Sequence, residues 1–180
     1  MSRYGAKELA RSNRTVRKNT LQVAQDIPED KYNFRVSAEM RSVAELLTHI
    51  ALSHEFNHQL HGAGAKTLEG FDFGAFMARH GAEEKKPRSK AEIVELLRVN
   101  GDKWNAWLEG LSDDFLAEQV AMPQGADPAS KSRFELILGV KEHEMHHRGQ
   151  LMLIERILGV VPHLTREREA RFAAANAAKR

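Results

Sequence analysis

Two imidazoles, those of His143 and His147, lie four residues apart in the segment Lys141-Glu142-His143-Glu144-Met145-His146-His147-Arg148-Gly149-Gln150. In a helix this spacing directs both side chains to one side. At about 100° per residue, both rings fall within roughly 80° of the apolar positions of the same segment. These positions are Leu136, Val140, Leu151, Ile154 and Leu158. The two histidines therefore lie in a stripe that we predict to face the core, where their nitrogens need hydrogen-bond partners or a bound cation.

Helical periodicity recurs in four long segments, whereas strand signals are almost absent. We predict helices over residues 6–25, from residue 37 or 38 to 61, over 89–110 and over about 130–159. The third begins with a capping box, because Glu92 follows Ser89 by three residues. Four long helices indicate an all-α protein built as a four-helix bundle.

The connection over residues 62–88 is long enough to favour a crossover between the second and third helices over a simple hairpin. A short helix within it is predicted by four apolar residues, Phe71, Phe73, Phe76 and Met77. We expect one bundle domain over residues 1–163. The tail over residues 164–180 is expected to be either a further C-terminal helix or frayed.

Composition predicts an ordinary soluble globular protein, with 42% hydrophobic and 29% charged residues among 180. The 27 basic and 25 acidic residues are spread along the chain, so we expect no nucleic acid partner. No apolar run approaches the roughly 20 residues that span a bilayer, and the first residues lack an apolar signal core. We therefore expect a cytoplasmic protein with no membrane partner. Because cysteine is absent, a metal would need His, Asp or Glu ligands, and thiol chemistry would need an external thiol.

A third histidine, His49, falls in the apolar stripe of the second predicted helix. Together with His143 and His147, it would give a divalent cation three neutral nitrogen ligands and leave positions open for water or substrate. Open positions are typical of catalytic rather than structural sites. Zinc, nickel and ferrous iron all suit such ligands, with zinc or nickel preferred here. The alternative is a group of core histidines that hydrogen-bond their neighbours without a metal.

A second histidine group, His54, His58 and His61, shares a different face of the same predicted helix. These three side chains could form a ligand set of their own. Alternatively, they are solvated, as exposed histidines at helical spacing commonly are.

Residues 143–147 also satisfy H-E-x-x-H, the zinc-peptidase pattern in which the glutamate is the general base. The longer form of that pattern fails at Gln150 and Leu153, although Glu167 or Glu169 could supply a third ligand. Such peptidases bind substrate along a sheet edge, for which this chain offers no convincing strand. Glu144 is thus a candidate acid-base residue, and its alternative role is a salt bridge.

The sequence resembles the DinB/YfiT-like metal-binding proteins, which carry an inward histidine on the second helix and a late H-x-x-x-H-R-G-Q motif. The matching residues here are His49 within 44–51, and His143, His147, Arg148, Gly149 and Gln150. The similarity continues in residues 27–34 and 158–162 and spans most of residues 5–163.

This resemblance implies a bundle with up-down-down-up connectivity, homodimerisation, and a divalent metal held by three histidines at one end. Characterised relatives include transferases and isomerases that use low-molecular-weight thiols such as mycothiol or bacillithiol. We therefore expect a metal-dependent thiol transferase or hydrolase that acts on a small-molecule substrate with an external low-molecular-weight thiol or water. The alternative is a non-catalytic metal-binding module for stress response or interaction, which a site closed by a fourth side chain would favour.

Overall fold

The backbone is mainly helical over residues 4–178, the part of the chain that the computed structural model describes. In chain order, the helices are α1 (Ala6–Asp26), α2 (Val43–Leu52), α3 (Glu55–Gly62), α4 (Phe73–Glu84), α5 (Lys90–Glu109), α6 (Asp113–Ala117), α7 (Arg133–Ile157) and α8 (His163–Ala177), with a short 3-10 turn at Glu29–Lys31. The all-α prediction is confirmed. Among the described residues, no helix combines the length and the apolar character that crossing a bilayer requires.

The long helices pack against one another around a continuous interior. Helix α1 lies along α5 and α7, and α2 contacts both α5 and α7. One end of this interior is filled by Val23, Leu47, Ile50, Leu97 and Leu151, and the other by Leu9, Trp104, Leu108, Ile137 and Val140. Burying one such side chain contributes about 1.5–3 kcal/mol. This packing fixes α2 and α7, the two helices that carry the inward histidines.

Capping boxes set the starts of three helices. Ser89 caps α5 with Glu92, as predicted. The fourth predicted helix begins at Arg133 rather than near residue 130, because Ser132 and Glu135 form an equivalent box. Ser132 also ends a strand, which accounts for the later start of α7.

The second predicted helix differs from the expectation. It begins at Val43, not at residue 37 or 38, because Ser42 and Glu45 form the capping box there. It is also interrupted at Ser53, whose hydroxyl donates to the carbonyl of Ile50. The segment is therefore two helices, α2 and α3, with His49 on the first and His58 and His61 on the second.

The connections contain structure that periodicity shows only in part. The crossover contains α4, as its apolar residues predicted. Strands β1 (Gln119–Ala121) and β2 (Ser130–Ser132) pair antiparallel, with Gln119 opposite Ser132. Of their six residues only Val120 is buried, so no alternating pattern marks them.

The tail forms helix α8 as far as Ala177, which matches the helical alternative. Residues 1–3 and 179–180 lie outside the described part of the chain. The expectations about the first residues and about the last two residues of the tail therefore stay predictions. The division of the chain at residue 163 and the up-down-down-up order stay predictions.

Candidate metal centre

Three histidine rings from two helices meet at one point. Nε2 of His143 lies 3.1 Å from Nε2 of His49 and 3.1 Å from Nε2 of His147. One ligand atom from each residue lies within 4.8 Å of the others. Two nitrogens on a tetrahedral zinc ion are about 3.3 Å apart. The structure thus brings the three predicted residues together at a spacing that suits one cation.

The opposite ring nitrogens of two of these histidines are held by hydrogen-bond acceptors. Nδ1 of His49 lies 2.7 Å from Oε1 of Glu84, whose other oxygen accepts from Nε of Arg41 at 2.6 Å. Nδ1 of His147 lies 2.8 Å from Oε1 of Gln150. Since a carboxylate or amide oxygen accepts, each Nδ1 carries the proton. The Nε2 atoms of His49 and His147 therefore both face Nε2 of His143 at the centre of the group.

His143 cannot form hydrogen bonds with both of these Nε2 atoms. Burial lowers its pKa to about 4, helped by the neighbouring His147 and His49, so the ring is neutral at pH 7. Burial also lowers the pKa of His147, against the effect of its hydrogen bond to Gln150. Nε2 of a neutral His143 carries either one proton or one lone pair, so it can form a good hydrogen bond with only one of its two neighbours at 3.1 Å. A cation satisfies all three nitrogens at once, and the donor set fits a divalent metal.

Glu84 is the functional residue that sequence reasoning missed. Burial opposes its ionisation, but hydrogen bonds from His49 and Arg41 outweigh that effect and hold its pKa below the usual value. It lies near the end of α4 within a run of charged residues, 83–86, that is indistinguishable by pattern from a solvated linker. No local signal identifies it, because only the packing of α4 against α2 brings it to His49.

Two cavities flank the histidine group. One, the aromatic chamber, has a volume of about 370 Å³ and is lined by His49, His143 and side chains of α3, α4 and α7 that include Phe56, Phe73, Phe76 and Met77. The other, the outer cleft, has a volume of about 860 Å³ and is lined by His147, Gln150 and polar residues that include Arg35, Arg41, Glu45 and Lys85. Glu84 lines both cavities. Small molecules can therefore approach the three histidines from two sides.

Comparison with known proteins identifies the family of this chain. The profile of the DinB superfamily matches residues 13–151, which covers most of the chain. The chain belongs to the DinB superfamily. Among curated DinB-like relatives, the uncharacterised protein YjoA of Bacillus subtilis (strain 168) is 24% identical over 141 residues, which cover 78% of this chain and 82% of YjoA.

Two solved structures share the DinB fold. The crystal structure of YjoA from Bacillus subtilis aligns with a TM-score of 0.62 and 20% identity, covering 84% of this chain and 92% of YjoA. YfiT from Bacillus subtilis aligns with a TM-score of 0.67 and 16% identity, covering 89% of this chain and 91% of its own. YfiT is described as a probable metal-dependent hydrolase with an unusual four-helix bundle topology. At these identities the likeness shows the fold.

Glu144 of this DinB member does not face the histidine group. Its carboxylate is fully buried and accepts hydrogen bonds of 2.9 and 3.1 Å from Nε and 2.9 Å from Nη2 of Arg17 on α1. It lines neither the aromatic chamber nor the outer cleft. Glu167 and Glu169 are exposed on α8. The geometry therefore supports the salt-bridge alternative and not the peptidase interpretation.

The second histidine group of the DinB chain does not converge. The rings of His54 and His58 lie beside different tryptophans, Trp104 and Trp107. His61 accepts from Nη1 of Arg133 at 2.9 Å and is paired through its other nitrogen with Asn57. Of the three only His58 is exposed, so the solvated alternative is wrong for His54 and His61. Burial lowers the pKa of both buried rings to about 4. Among the described residues these three do not form a metal-sized group.

Proposed function

We propose that His49, His143 and His147 bind one divalent cation and that the protein is a metal-dependent hydrolase or thiol transferase acting on a small molecule. Zinc or nickel suits the three imidazoles best, and ferrous iron is compatible with them. The observation that carries the proposal is the meeting of three Nε2 atoms that cannot all form hydrogen bonds with one another. A divalent cation in this position would supply Lewis acidity, which lowers the pKa of a coordinated water or thiol toward neutrality.

The residues around the histidines orient these ligands. Glu84 fixes the ring of His49 and makes it a stronger donor, since a carboxylate beside the far nitrogen raises the basicity of the near one. Gln150 does the same for His147 without adding charge. Arg41 holds the carboxylate of Glu84 in place and balances its charge.

The openness of the site favours catalysis over a purely structural role. Within residues 4–178, no fourth His, Asp or Glu joins the group of three. The cavities on both sides leave room for a substrate and for an attacking water or thiol. The chain contains no cysteine, so the thiol of a transfer reaction would be an external low-molecular-weight thiol.

Metal content tests the first half of the proposal. Wild-type protein, His147→Ala and His58→Ala are purified without chelator, and zinc, nickel and iron are measured by elemental analysis. We expect about one ion per chain in wild type and in His58→Ala, because His58 is exposed and outside the group. His147→Ala should lose the ion. Zinc at about 100 times its dissociation constant should stabilise wild type by about 2.7 kcal/mol and leave His147→Ala unchanged. Equal metal content in all three proteins would refute the site.

Turnover tests the second half. The metal-loaded protein is assayed for consumption of a low-molecular-weight thiol with electrophilic substrates and for hydrolysis of small esters and amides. Activity that is present in wild type and in His58→Ala but absent in His147→Ala supports the enzyme. Equal rates in wild type and His147→Ala would refute it, and a stoichiometric metal without any turnover would favour the non-catalytic module.

A further inference from the structure

The aromatic chamber is built as an apolar cavity directly beside the histidine group. The ring of Phe56 lies 5.5 Å from that of Phe73 and 5.8 Å from that of Phe76, measured between centroids. Met77 of α4 and Val140 of α7 complete the apolar lining. A volume of about 370 Å³ is within the range of small-molecule sites. Phe73 and Met77 are half-exposed, so the chamber communicates with solvent through the edge of α4.

Three polar side chains of the chamber already have partners in the protein, whereas Nδ1 of His143 and Nε2 of His80 make no hydrogen bond. The hydroxyl of Ser53 donates to the carbonyl of Ile50. Oδ1 of Asn57 is paired with His61. Glu84 is held by His49 and Arg41. A charged ligand group would lose its hydration in the chamber, where the one carboxylate, that of Glu84, is already paired, whereas an uncharged apolar group would lose little.

A further side chain, His80, lines the chamber beside Phe76. Its ring stacks on Phe76 with the centroids 4.0 Å apart, and its Nε2 lies 3.2 Å from a carboxylate oxygen of Glu55. The stacked imidazole extends the aromatic wall. The chamber thus presents flat surfaces on the side of α4.

A glycine on α7 leaves the chamber open. Gly139 lines the cavity, and a Cβ added there would meet no atom within 4 Å. Glycine inside a helix costs about 0.5–1 kcal/mol relative to alanine. A side chain at this position would point into free volume next to the histidines, so the glycine preserves space that a ligand can use.

The outer cleft lacks a comparable preference. Its arginines are paired with carboxylates, Arg35 with Glu45 and Arg41 with Glu84. These pairs cancel most of the local charge, so the cleft suits water and a polar group of either sign. The two sides of the histidine group therefore differ in polarity.

We propose that the aromatic chamber binds the apolar part of the substrate, an uncharged group of one or two aromatic rings, and so places the reacting bond beside the histidine group. This assignment rests on the proposed function for its catalytic meaning. It specifies the substrate class as mainly apolar molecules with one reactive polar group, and it assigns the outer cleft to the polar remainder.

The test uses 6-fluoroindole, a neutral two-ring probe, followed by fluorine NMR. The full-length protein is titrated in its metal-free and zinc-loaded forms. The variant Gly139→Leu fills the chamber from α7, and Gly149→Leu is the matched control, because a Cβ at Gly149 also meets no atom within 4 Å but this glycine lines neither cavity. We expect saturable one-to-one binding to wild type and to Gly149→Leu, and at least tenfold weaker binding to Gly139→Leu. Zinc content should be equal in all three.

Two results of this titration would overturn the assignment. One is no saturable binding of 6-fluoroindole to wild type, and the other is binding to Gly139→Leu within twofold of wild type. If either occurs while zinc is still bound, only the chamber assignment fails. If wild type binds the probe but no zinc, the proposed function fails. The chamber would then be a binding site for an apolar group without a catalytic role.

The location of the probe gives a second measurement. Replacing zinc by paramagnetic cobalt(II) should accelerate the fluorine relaxation of bound 6-fluoroindole, because the chamber adjoins His49 and His143. The acceleration should disappear in Gly139→Leu. Identical relaxation in the zinc and cobalt forms of wild type would place the probe elsewhere and overturn the assignment.

Discussion

Helix α7 carries two polar groups in adjacent residues that the fold treats differently. His143 joins a group of three imidazoles whose Nε2 atoms cannot all pair with one another, between two cavities. Glu144 is fully buried, and both of its oxygens accept from Arg17. Burial alone therefore does not identify a functional residue. An interior polar group whose partners are all supplied by the protein is structural, whereas one left short of partners beside a cavity awaits a ligand.

The Arg17–Glu144 ion pair also joins three helices. Nη1 of Arg17 donates to the carbonyl of Leu97 on α5 at 2.6 Å, while its other nitrogens bind Glu144 on α7. The close approach requires a glycine on α5, because a Cβ at Gly101 would lie 2.8 Å from Cγ of Arg17. A buried pair is not necessarily stabilising overall, but breaking one partner leaves an uncompensated charge.

The largest expected effect follows from that charge. Glu144→Gln should lower the free energy of unfolding by about 3–5 kcal/mol, because Arg17 would stay buried without its counterion. Urea unfolding of metal-free protein measures the change. Glu142→Gln, an exposed neighbour on the same helix, should be nearly neutral. Zinc content of the folded variant should match wild type.

A different result would assign Glu144 to the active site. If Glu144→Gln left stability unchanged and abolished hydrolysis by metal-loaded protein, Glu144 would be the base of the H-E-x-x-H pattern, and the distinction between the two groups on α7 would fail.

Glu155 is a second buried carboxylate on α7, and it differs from Glu144 because no arginine is bound to it. It is fully buried, and neither oxygen has a hydrogen-bond partner among the described residues. Burial raises its pKa to about 7, and the nearby Asp26 adds to this, against weaker opposing effects of Arg166 and Arg156. Between pH 4.5 and 7 the folded state therefore holds a proton that the unfolded state has released. This carboxyl makes the protein less stable as pH rises through that interval.

Replacing Glu155 by glutamine should remove this loss of stability at higher pH. Glu155→Gln should match wild type near pH 4.5 and exceed its free energy of unfolding by about 3 kcal/mol at pH 8, from about 1.4 kcal/mol per pH unit. Urea unfolding of wild type and variant across this range measures the difference, in which other titrations cancel. The exposed Glu167→Gln serves as the control. A difference that is constant with pH would show that the carboxyl does not titrate in this interval.

Local patterns predicted the histidine group but not what surrounds it. The spacing of His143 and His147 and the stripe position of His49 follow from helical periodicity, which assigns faces. The contacts of Glu84 with His49 and of Arg17 with Glu144 do not follow from periodicity, because they join residues 35 and 127 positions apart in the sequence. The same limit applies to His54 and His61, whose burial depends on which helices cover them. Periodicity indicates which residues point inward, while long-range packing decides which of them are satisfied.

The last and weakest effect concerns Glu84, and it shows whether a residue that holds a histidine ring also changes the affinity for the metal. Glu84→Gln keeps the shape of the side chain but removes the charge beside His49, and we expect zinc affinity to fall about 10- to 100-fold. Competition with a chelating dye measures the affinity. Glu83→Gln is a matched control, since its carboxylate binds Arg88 and Lys86 instead of a histidine. Equal affinities in the two variants would mean that Glu84 only anchors α4. Glu84 would then be a structural residue, like Glu144 in its ion pair with Arg17, and would have no effect on the metal bound by the histidine group.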